Sequence, residues 1–345
     1  MKIIIDAMGG DNAPTAPVEG ALQAVKELGT EIVLAGSEAE LRGCLGRLGH
    51  SDLPRGITIL PTTQVIEMED NPARAFREKP DSSMTRCLEA VRDGKADAMV
   101  SAGSTGALLS GATLVVKRIR GIRRAALAPV LPNAKGKMVL IDAGATADCT
   151  PEYLLQYAFM GSYYARRFLG VEQPRVALLN IGAEPSKGMD LQRQAHALLT
   201  QASEEGRIRF IGNLEAREAL SRGDADVLVT DGFTGNIFLK TMEGMALTFG
   251  QMLKSMLLSG TKTKVAALLL KDGIRDLKKQ FDSTEVGGTA LLGITKPVIK
   301  AHGSSDARAF FSAIRQAAEV AGSGISEDIA ANVEHMRLPA AKTEP

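Results

Sequence analysis

The chain has 345 residues, 45% of them hydrophobic and 23% charged, enough to bury a large core in one big α/β domain or in two lobes. Its formal net charge of +1 offers no global basic field of the kind nucleic-acid binding needs, and with 4% aromatics and no Trp there is no evident base-stacking platform. The three cysteines, Cys44, Cys87 and Cys149, lack zinc spacing and are odd in number, which fits a reducing cytoplasm, and no leader or membrane-spanning run is evident.

The chain opens on IIIDAMGGDNAP. Ile3, Ile4 and Ile5 predict a strand buried on both faces of a parallel sheet, stopping at Asp6. Gly9 and Gly10 predict a tight turn beside Asp11, and Asn12 or Thr15 a cap for a helix whose apolar face is Val18, Ala21, Leu22 and Val25. A strand, a glycine turn and a helix start put N–H groups where an anion can bind, although a tight connection without a ligand has the same pattern. EIVLAG predicts a second strand, followed by a helix through Leu41, Leu45 and Leu48, and ITIL a third strand. The polar passage from Thr62 to Met84, with Pro72 and Pro80, reads as a long loop with one short helix. A helix around Thr85–Arg92 feeds a strand at Ala98–Ser101, which runs into Gly103, Ser104, Thr105 and Gly106. The next predicted helix ends in Lys117, Arg118, Arg120, Arg123 and Arg124. Cations suit a helix C-terminus, but five so close together also suit a dock for an acidic partner.

The opening unit then recurs. Met138–Ile141 leads to Asp142 and Gly144, then to a helix with Thr150 as cap and Pro151 at its first position. RVALLNIGAEPSKG carries Asn180, Gly182 and Lys187, and ADVLVTDGFTGN carries Asp231, Gly232, Thr234, Gly235 and Asn236. In one parallel sheet all these loops lie at the carboxyl ends of the strands and converge on one crevice. Residues 244–281 differ: apolar segments around Phe249–Leu258 and Val265–Leu270 meet at Ser259, Gly260 and Thr261, which predicts a helical hairpin. It is either a core or dimerisation element, or a tip that touches a membrane through Leu257, Leu258, Leu268 and Leu269 while Lys262 and Lys264 meet anionic headgroups. The last unit is a strand, a turn capped by Ser304 or Ser305, and a helix with Phe310, Ala313, Ile314 and Ala317 on one face. His302 at its turn is either a hydrogen-bonded structural residue or a crevice group. The expected organisation is a single domain over 1–335 and a flexible tail over 336–345.

The glycine loops carry no nucleotide motif. The run from Gly182 to Gly188 looks like a P-loop, but Lys187 precedes the final glycine and no Ser or Thr follows to bind magnesium. The crevice offers backbone donors, hydroxyls, an amide and a lysine, with no metal cluster, no cofactor site and no evident nucleophile; Cys149 has no obvious histidine partner. Such a site suits a bound anion acting as nucleophile, for example phosphate attacking an acyl thioester, where the protein positions the anion and stabilises an oxyanion. The leaving thiolate, with a pKa of about 8.5, demands no strong general acid.

IIIDAMGGDNAP, SAGSTGALL, NIGAEPSKG, DGFTGN and KAHGSSD, in this order and spacing, resemble the acyl-[acyl-carrier-protein]:phosphate acyltransferase family, PlsX, over nearly the whole chain. The resemblance implies transfer of a fatty acyl group from acyl carrier protein to inorganic phosphate, giving acyl phosphate for a membrane glycerol-3-phosphate acyltransferase in phospholipid synthesis. It also implies a homodimer, peripheral association with the inner face of the membrane, and a three-layer α/β/α Rossmann-like fold similar to phosphate acetyltransferases and isopropylmalate dehydrogenases. Lys187 and Asn236 match the family's functional lysine and asparagine. Asp6, Gly9, Gly10, Asp11, Ser104, Thr105, Gly106, Asp142, Asp231, Gly232, Thr234, Gly235 and His302 are the expected phosphate and substrate neighbours, and Arg120, Arg123 and Arg124 the carrier-protein dock. The chain departs from the family's usual residues at Thr146 and Ser104, where Asn is common, and at Val286, where Tyr is common. A phosphate acetyltransferase acting on acyl-coenzyme A would share the crevice without needing the apolar hairpin, and a non-catalytic membrane adaptor would keep the hairpin without needing the loops.

Overall fold

The computed structural model describes residues 1–275 and 287–337. Strands and helices alternate as the sequence predicts, but the strands form two sheets. The first joins β1 (Lys2–Asp6), β2 (Glu31–Gly36), β3 (Ile57–Pro61), β4 (Ala98–Ser101), β5 (Ala126–Ala128), β11 (Thr289–Leu292) and β12 (Val298–Lys300) in the order β3-β2-β1-β4-β12-β11-β5. The second joins β6 (Val130–Asn133), β7 (Gly136–Ile141), β8 (Arg175–Asn180), β9 (Arg209–Glu215) and β10 (Val227–Val229) in the order β6-β7-β10-β8-β9. Pro129 separates β5 from β6, so the chain changes sheets where a residue without an N–H interrupts the ladder. The expectation of one sheet collecting every glycine loop is therefore corrected. The loops after β1, β4 and β12 belong to the first sheet, and those after β7, β8 and β10 to the second.

Helices cover both faces. Ile3, Ile5, Val100 and Ile299 pack with α1 (Thr15–Leu28) and α11 (Ala307–Ser323), whereas Ile4, Met99 and Val298 face α4 (Ser83–Arg92) and α5 (Thr105–Gly111). The two apolar clusters continue through the second sheet, with Val139 and Val176 in one and Leu140 and Ala177 in the other. The alternation is what strands buried on both faces require, and it makes the fold a three-layer α/β/α arrangement.

Several local expectations change. Neither Asn12 nor Thr15 caps α1, whose first residue follows Pro14 without a side-chain cap bond. Asp306, not Ser304 or Ser305, caps α11, accepting from Ala309 N at 2.9 Å. The helix expected to end in the arginines stops earlier: α5 passes into a π-helical stretch over Ala112–Lys117, and Arg118 is already extended and bridged to Ile294. Arg120, Arg123 and Arg124 thus stand exposed on the loop leading to β5, so a helix dipole does not account for them. The predicted hairpin starts earlier than residue 244. Its first arm is α9 (Gly232–Leu258), 27 residues long and continuous with the last crevice loop; Ser259 and Gly260 turn the chain into α10 (Thr261–Leu269). Residues 276–281 of the hairpin, Val286 and residues 338–345 of the expected tail lie outside the described residues.

Candidate active site

On the first sheet, β1 ends at Asp6, which is buried and accepts from Ser83 Oγ of α4 at 2.6 Å and from Ser101 Oγ at the end of β4 at 2.7 Å. Gly103 N donates in turn to Ser101 Oγ at 3.1 Å. Burial raises the Asp6 carboxyl above its ordinary range, and the two serine hydroxyls oppose that shift by favouring the charged form. Beyond Asp6 the turn lies against its neighbours: Gly10 has φ +97°, and a Cβ there would stand 2.8 Å from Ala102 Cβ and 2.9 Å from Gly303 O. Gly9 sits equally close to Gly103. Asp11 N donates to Gly303 O at 2.8 Å, and the Asn12 amide donates to Ser304 O and Ser305 O. The loops after β1, β4 and β12 are therefore one assembly. Ser104 caps α5 through Ala107 N, Thr105 is exposed, and Gly106 lies beneath Pro72 of the long polar loop.

On the second sheet, Asp142 at the end of β7 accepts from the main-chain N–H of Leu127, Gly144, Ala145 and Thr146 at 2.7–3.2 Å. It is fully buried, and desolvation carries its pKa up to about 6 against those donors. Its oxygens hold the loop through these main-chain donors. Asp231 caps α9, accepting from Thr234 N at 2.9 Å and Thr234 Oγ1 at 2.8 Å. Gly232 and Gly235 are the places where α9 meets this loop, and a Cβ at Gly235 would lie 1.9 Å from Asp142 O. The Thr146 carbonyl accepts from Gly232 N, so the main chain makes this connection whatever the side chain at position 146. Lys187, in the loop after β8, is nearly half exposed and 4.0 Å from Glu184; Asn180 pins its carbonyl from behind. The Asn236 amide donates to Ala143 O at 3.2 Å over Gly144.

Helix α9 joins the two assemblies. Asn236 and Lys240 are four residues apart and share one face. Asn236 touches the β7 loop, while Lys240 Nζ lies 3.3 Å from His302 Nε2 of the β12 loop. Lys240 also pairs with Glu243 at 2.8 Å. On the other side of the ring, His302 Nδ1 accepts from Ser304 N at 3.3 Å and lies 2.9 Å from Ser304 Oγ. Burial and then the Lys240 charge lower the His302 pKa, favouring the neutral ring. The structure thus brings Asp6, Gly9, Gly10, Asp11 and His302 together in one assembly and Asp142, Asp231, Gly232, Thr234, Gly235 and Asn236 in another. Arg120, Arg123 and Arg124 belong to neither set of contacts; Arg124 lies over the Tyr153 ring, and Arg123 N donates to Gln156. Sequence reasoning passed over Ser83, Ser101, Lys240 and Lys300. Lys300 carried a signal, a cation closing an apolar strand before a glycine turn.

The same fold occurs in a phosphotransacetylase from Streptococcus pyogenes, with a TM-score of 0.60 at 20% identity over 93% of this chain and 94% of that one. A branched-chain phosphotransacylase from Enterococcus faecalis V583 matches with a TM-score of 0.54 at 17% identity, over 92% of this chain and 98% of the other. The chain is thus an α/β protein of the phosphotransacetylase fold, with its loop assemblies at the carboxyl ends of two sheets. The family model described as "Fatty acid synthesis protein" matches residues 1–328. A "Phosphate acyltransferase" of Lysinibacillus sphaericus is 48% identical over 98% of this chain and 100% of its own length, and one of Clostridioides difficile is 46% identical over 95% of each. The chain belongs to this phosphate acyltransferase family, PlsX, and is an acyltransferase enzyme.

Proposed function

We propose that the enzyme transfers a fatty acyl group from acyl-[acyl carrier protein] to inorganic phosphate, and that the acyl phosphate serves glycerol 3-phosphate acylation in phospholipid synthesis. The observation that carries the fatty-acyl part is the company Lys187 and Asn236 keep. Ile181 and Met189 flank Lys187, Phe233 and Ile237 flank Asn236, and all four are exposed, between 51% and 81%. Large apolar side chains left in water beside polar groups mark a surface for an apolar ligand. In this reading Lys187 and Asn236 act on the phosphate and on the thioester oxyanion, stabilising charge that develops during attack. Asp142, Asp231 and Thr234 hold the loops in place.

Arg120, Arg123 and Arg124 are the proposed dock for the acidic carrier protein, since their exposure answers to no helix end. The hairpin is proposed to face other surfaces. Among the described residues no helix is long and apolar enough to cross a membrane, yet Met245, Leu247, Phe249, Met252, Leu258, Leu268 and Leu269 are all more than half exposed. Its arms suit a second copy of the chain in a homodimer, and its tip, with Leu257, Leu258, Lys262 and Lys264, suits the anionic cytoplasmic face of a membrane. The function is tested by following phosphate-dependent release of free thiol from long-chain acyl-carrier-protein and acyl-coenzyme A thioesters. Faster turnover of the carrier-protein thioester is expected; preference for short acyl-coenzyme A would make the enzyme a phosphate acetyltransferase, and no dependence on phosphate would end the proposal.

A further inference from the structure

Lys300 closes β12 in register with Ser101 of β4, and Ser101 is in register with Asp6 of β1. Three polar side chains therefore stand in a row on one face of the first sheet, at the carboxyl ends of three adjacent parallel strands. Asp6 and Ser101 satisfy each other, and the second Asp6 oxygen accepts from Ser83. Lys300 has no such partner in the row. Its Nζ donates to Ala102 O at 3.2 Å and to Ala301 O, two main-chain carbonyls, which leaves one of its three N–H groups and its charge unanswered.

A largely buried ammonium group is costly unless a negative charge comes to it. Asp6, from β1, and Asp11, from the loop after it, favour the Lys300 charge only through space, and Lys240, from α9, opposes it. Two ammonium groups thus lie near one another, Lys240 against His302 and Lys300 at the end of the strand before it. In doubly wound sheets the crevice outside the carboxyl ends of the strands is where ligands bind.

We propose that Lys300 is a phosphate-binding residue of this acyltransferase, its free N–H and charge holding one oxygen of the attacking phosphate while Ala102 and Ala301 fix the ammonium in place. The assignment rests on the phosphate-acyltransfer reading above. In the reaction another phosphate oxygen attacks the thioester carbonyl carbon and the C–S bond breaks with its electron pair on sulfur. The proton of the hydrogen phosphate ends on the thiolate, and Lys300 forms no covalent bond. Burial pushes the Lys300 ammonium down to about 8. Phosphate is already a dianion there, so affinity falls as pH rises through that value and the lysine loses its proton; His302, Lys240, Asp6 and Asp11 are the other titratable or charged groups facing it.

The test varies inorganic phosphate and acyl thioester separately in the wild type, Lys300→Met and Lys300→Arg. Lys300→Met is expected to raise the phosphate KM by about 30-fold, the loss of a charged hydrogen bond, with the thioester KM within about two-fold. Lys300→Arg, charged at every accessible pH, is expected to abolish the rise of phosphate KM that the wild type shows between about pH 7.5 and 9.5. An unchanged phosphate KM in Lys300→Met overturns the proposal, including the case where kcat alone falls, because the lysine would then only tie two carbonyls. Should Lys300→Met fail to fold, the pH profiles decide: parallel profiles for wild type and Lys300→Arg overturn it, and a flattened arginine profile supports it. A wild type with no phosphate-dependent turnover would defeat the acyltransfer reading instead. Calorimetry with inorganic phosphate on wild type and Lys300→Met then still tests Lys300, weaker binding in the variant supporting the assignment and equal binding overturning it.

Discussion

The two loop assemblies begin alike and are held together differently. Each has a buried aspartate at the carboxyl end of a strand, Asp6 on β1 and Asp142 on β7, followed within three residues by a glycine. Asp6 accepts from serine side chains on two other elements, so it ties strands that are far apart in sequence. Asp142 accepts from three N–H groups of its own loop and from Leu127 N of β5, and α9 then packs on that loop through glycines. One short pattern therefore builds a knot of side-chain hydroxyls in one place and a loop held by main-chain N–H groups in the other. A strand-end aspartate thus marks a loop junction without specifying whether its oxygens meet a hydroxyl or the backbone.

The largest expected effect on either assembly is that of Gly235→Ala. Its Cβ would stand 1.9 Å from Asp142 O, a main-chain atom that cannot swing aside, and a loss of about 4 kcal/mol or failure to fold is expected in chemical denaturation. Gly103→Ala, whose nearest neighbour is the Met84 methyl at 2.6 Å, should cost only about 1 kcal/mol, because a flexible side chain yields. Equal losses would show that both assemblies are held by their backbones. Next, Lys187→Ala should lower turnover by about two orders of magnitude, about 3 kcal/mol in the barrier, without shifting the melting temperature. The lysine is nearly half exposed and makes only a long ion pair, so a stability change with normal turnover would place it in the scaffold.

Asp142→Asn and Ser101→Ala compare the two ties directly. The amide at position 142 must turn its NH2 toward a main-chain donor, so a loss of about 2 kcal/mol is expected, against about 1 kcal/mol for Ser101→Ala. The reverse order would mean that the serine knot carries the greater share of stability. A smaller effect concerns pH. The Asp142 pKa is raised by burial from its ordinary 3.8 to about 6, so its contribution to stability is fully present below the unfolded value and is lost as pH rises through about 6. The wild type should therefore lose stability relative to Asp142→Asn between pH 3.8 and about 6, and parallel stability curves for the two would count against the shift. The smallest effect on stability is expected at the hairpin, which has neither kind of tie. Leu258→Glu with Leu269→Glu should change the unfolding free energy by less than about 0.5 kcal/mol while abolishing sedimentation with anionic liposomes. Dissociation into monomers or loss of fold would make the tip a dimer or core element instead.

Local sequence dictates where strands such as Ile3–Ile5 and Ala98–Ser101 end, that Asp6, Asp142, Lys187 and Asn236 lie at or beyond such ends, and that an apolar pair of helices turns at Ser259–Gly260. These features are written in neighbouring residues, through apolar runs, glycine turns and helical periodicity. Tertiary packing alone divides the strands into two sheets at Pro129, makes Asp231 the cap of a helix by accepting from Thr234, and sets the arginines beyond a π-helical stretch. It alone set Lys300 beside Ser101, nearly 200 residues away, and Lys240 beside His302. Strand register and helix placement are set by long-range hydrogen bonding and packing, which leave no local pattern, so what a strand-end side chain meets emerges only when the sheets assemble.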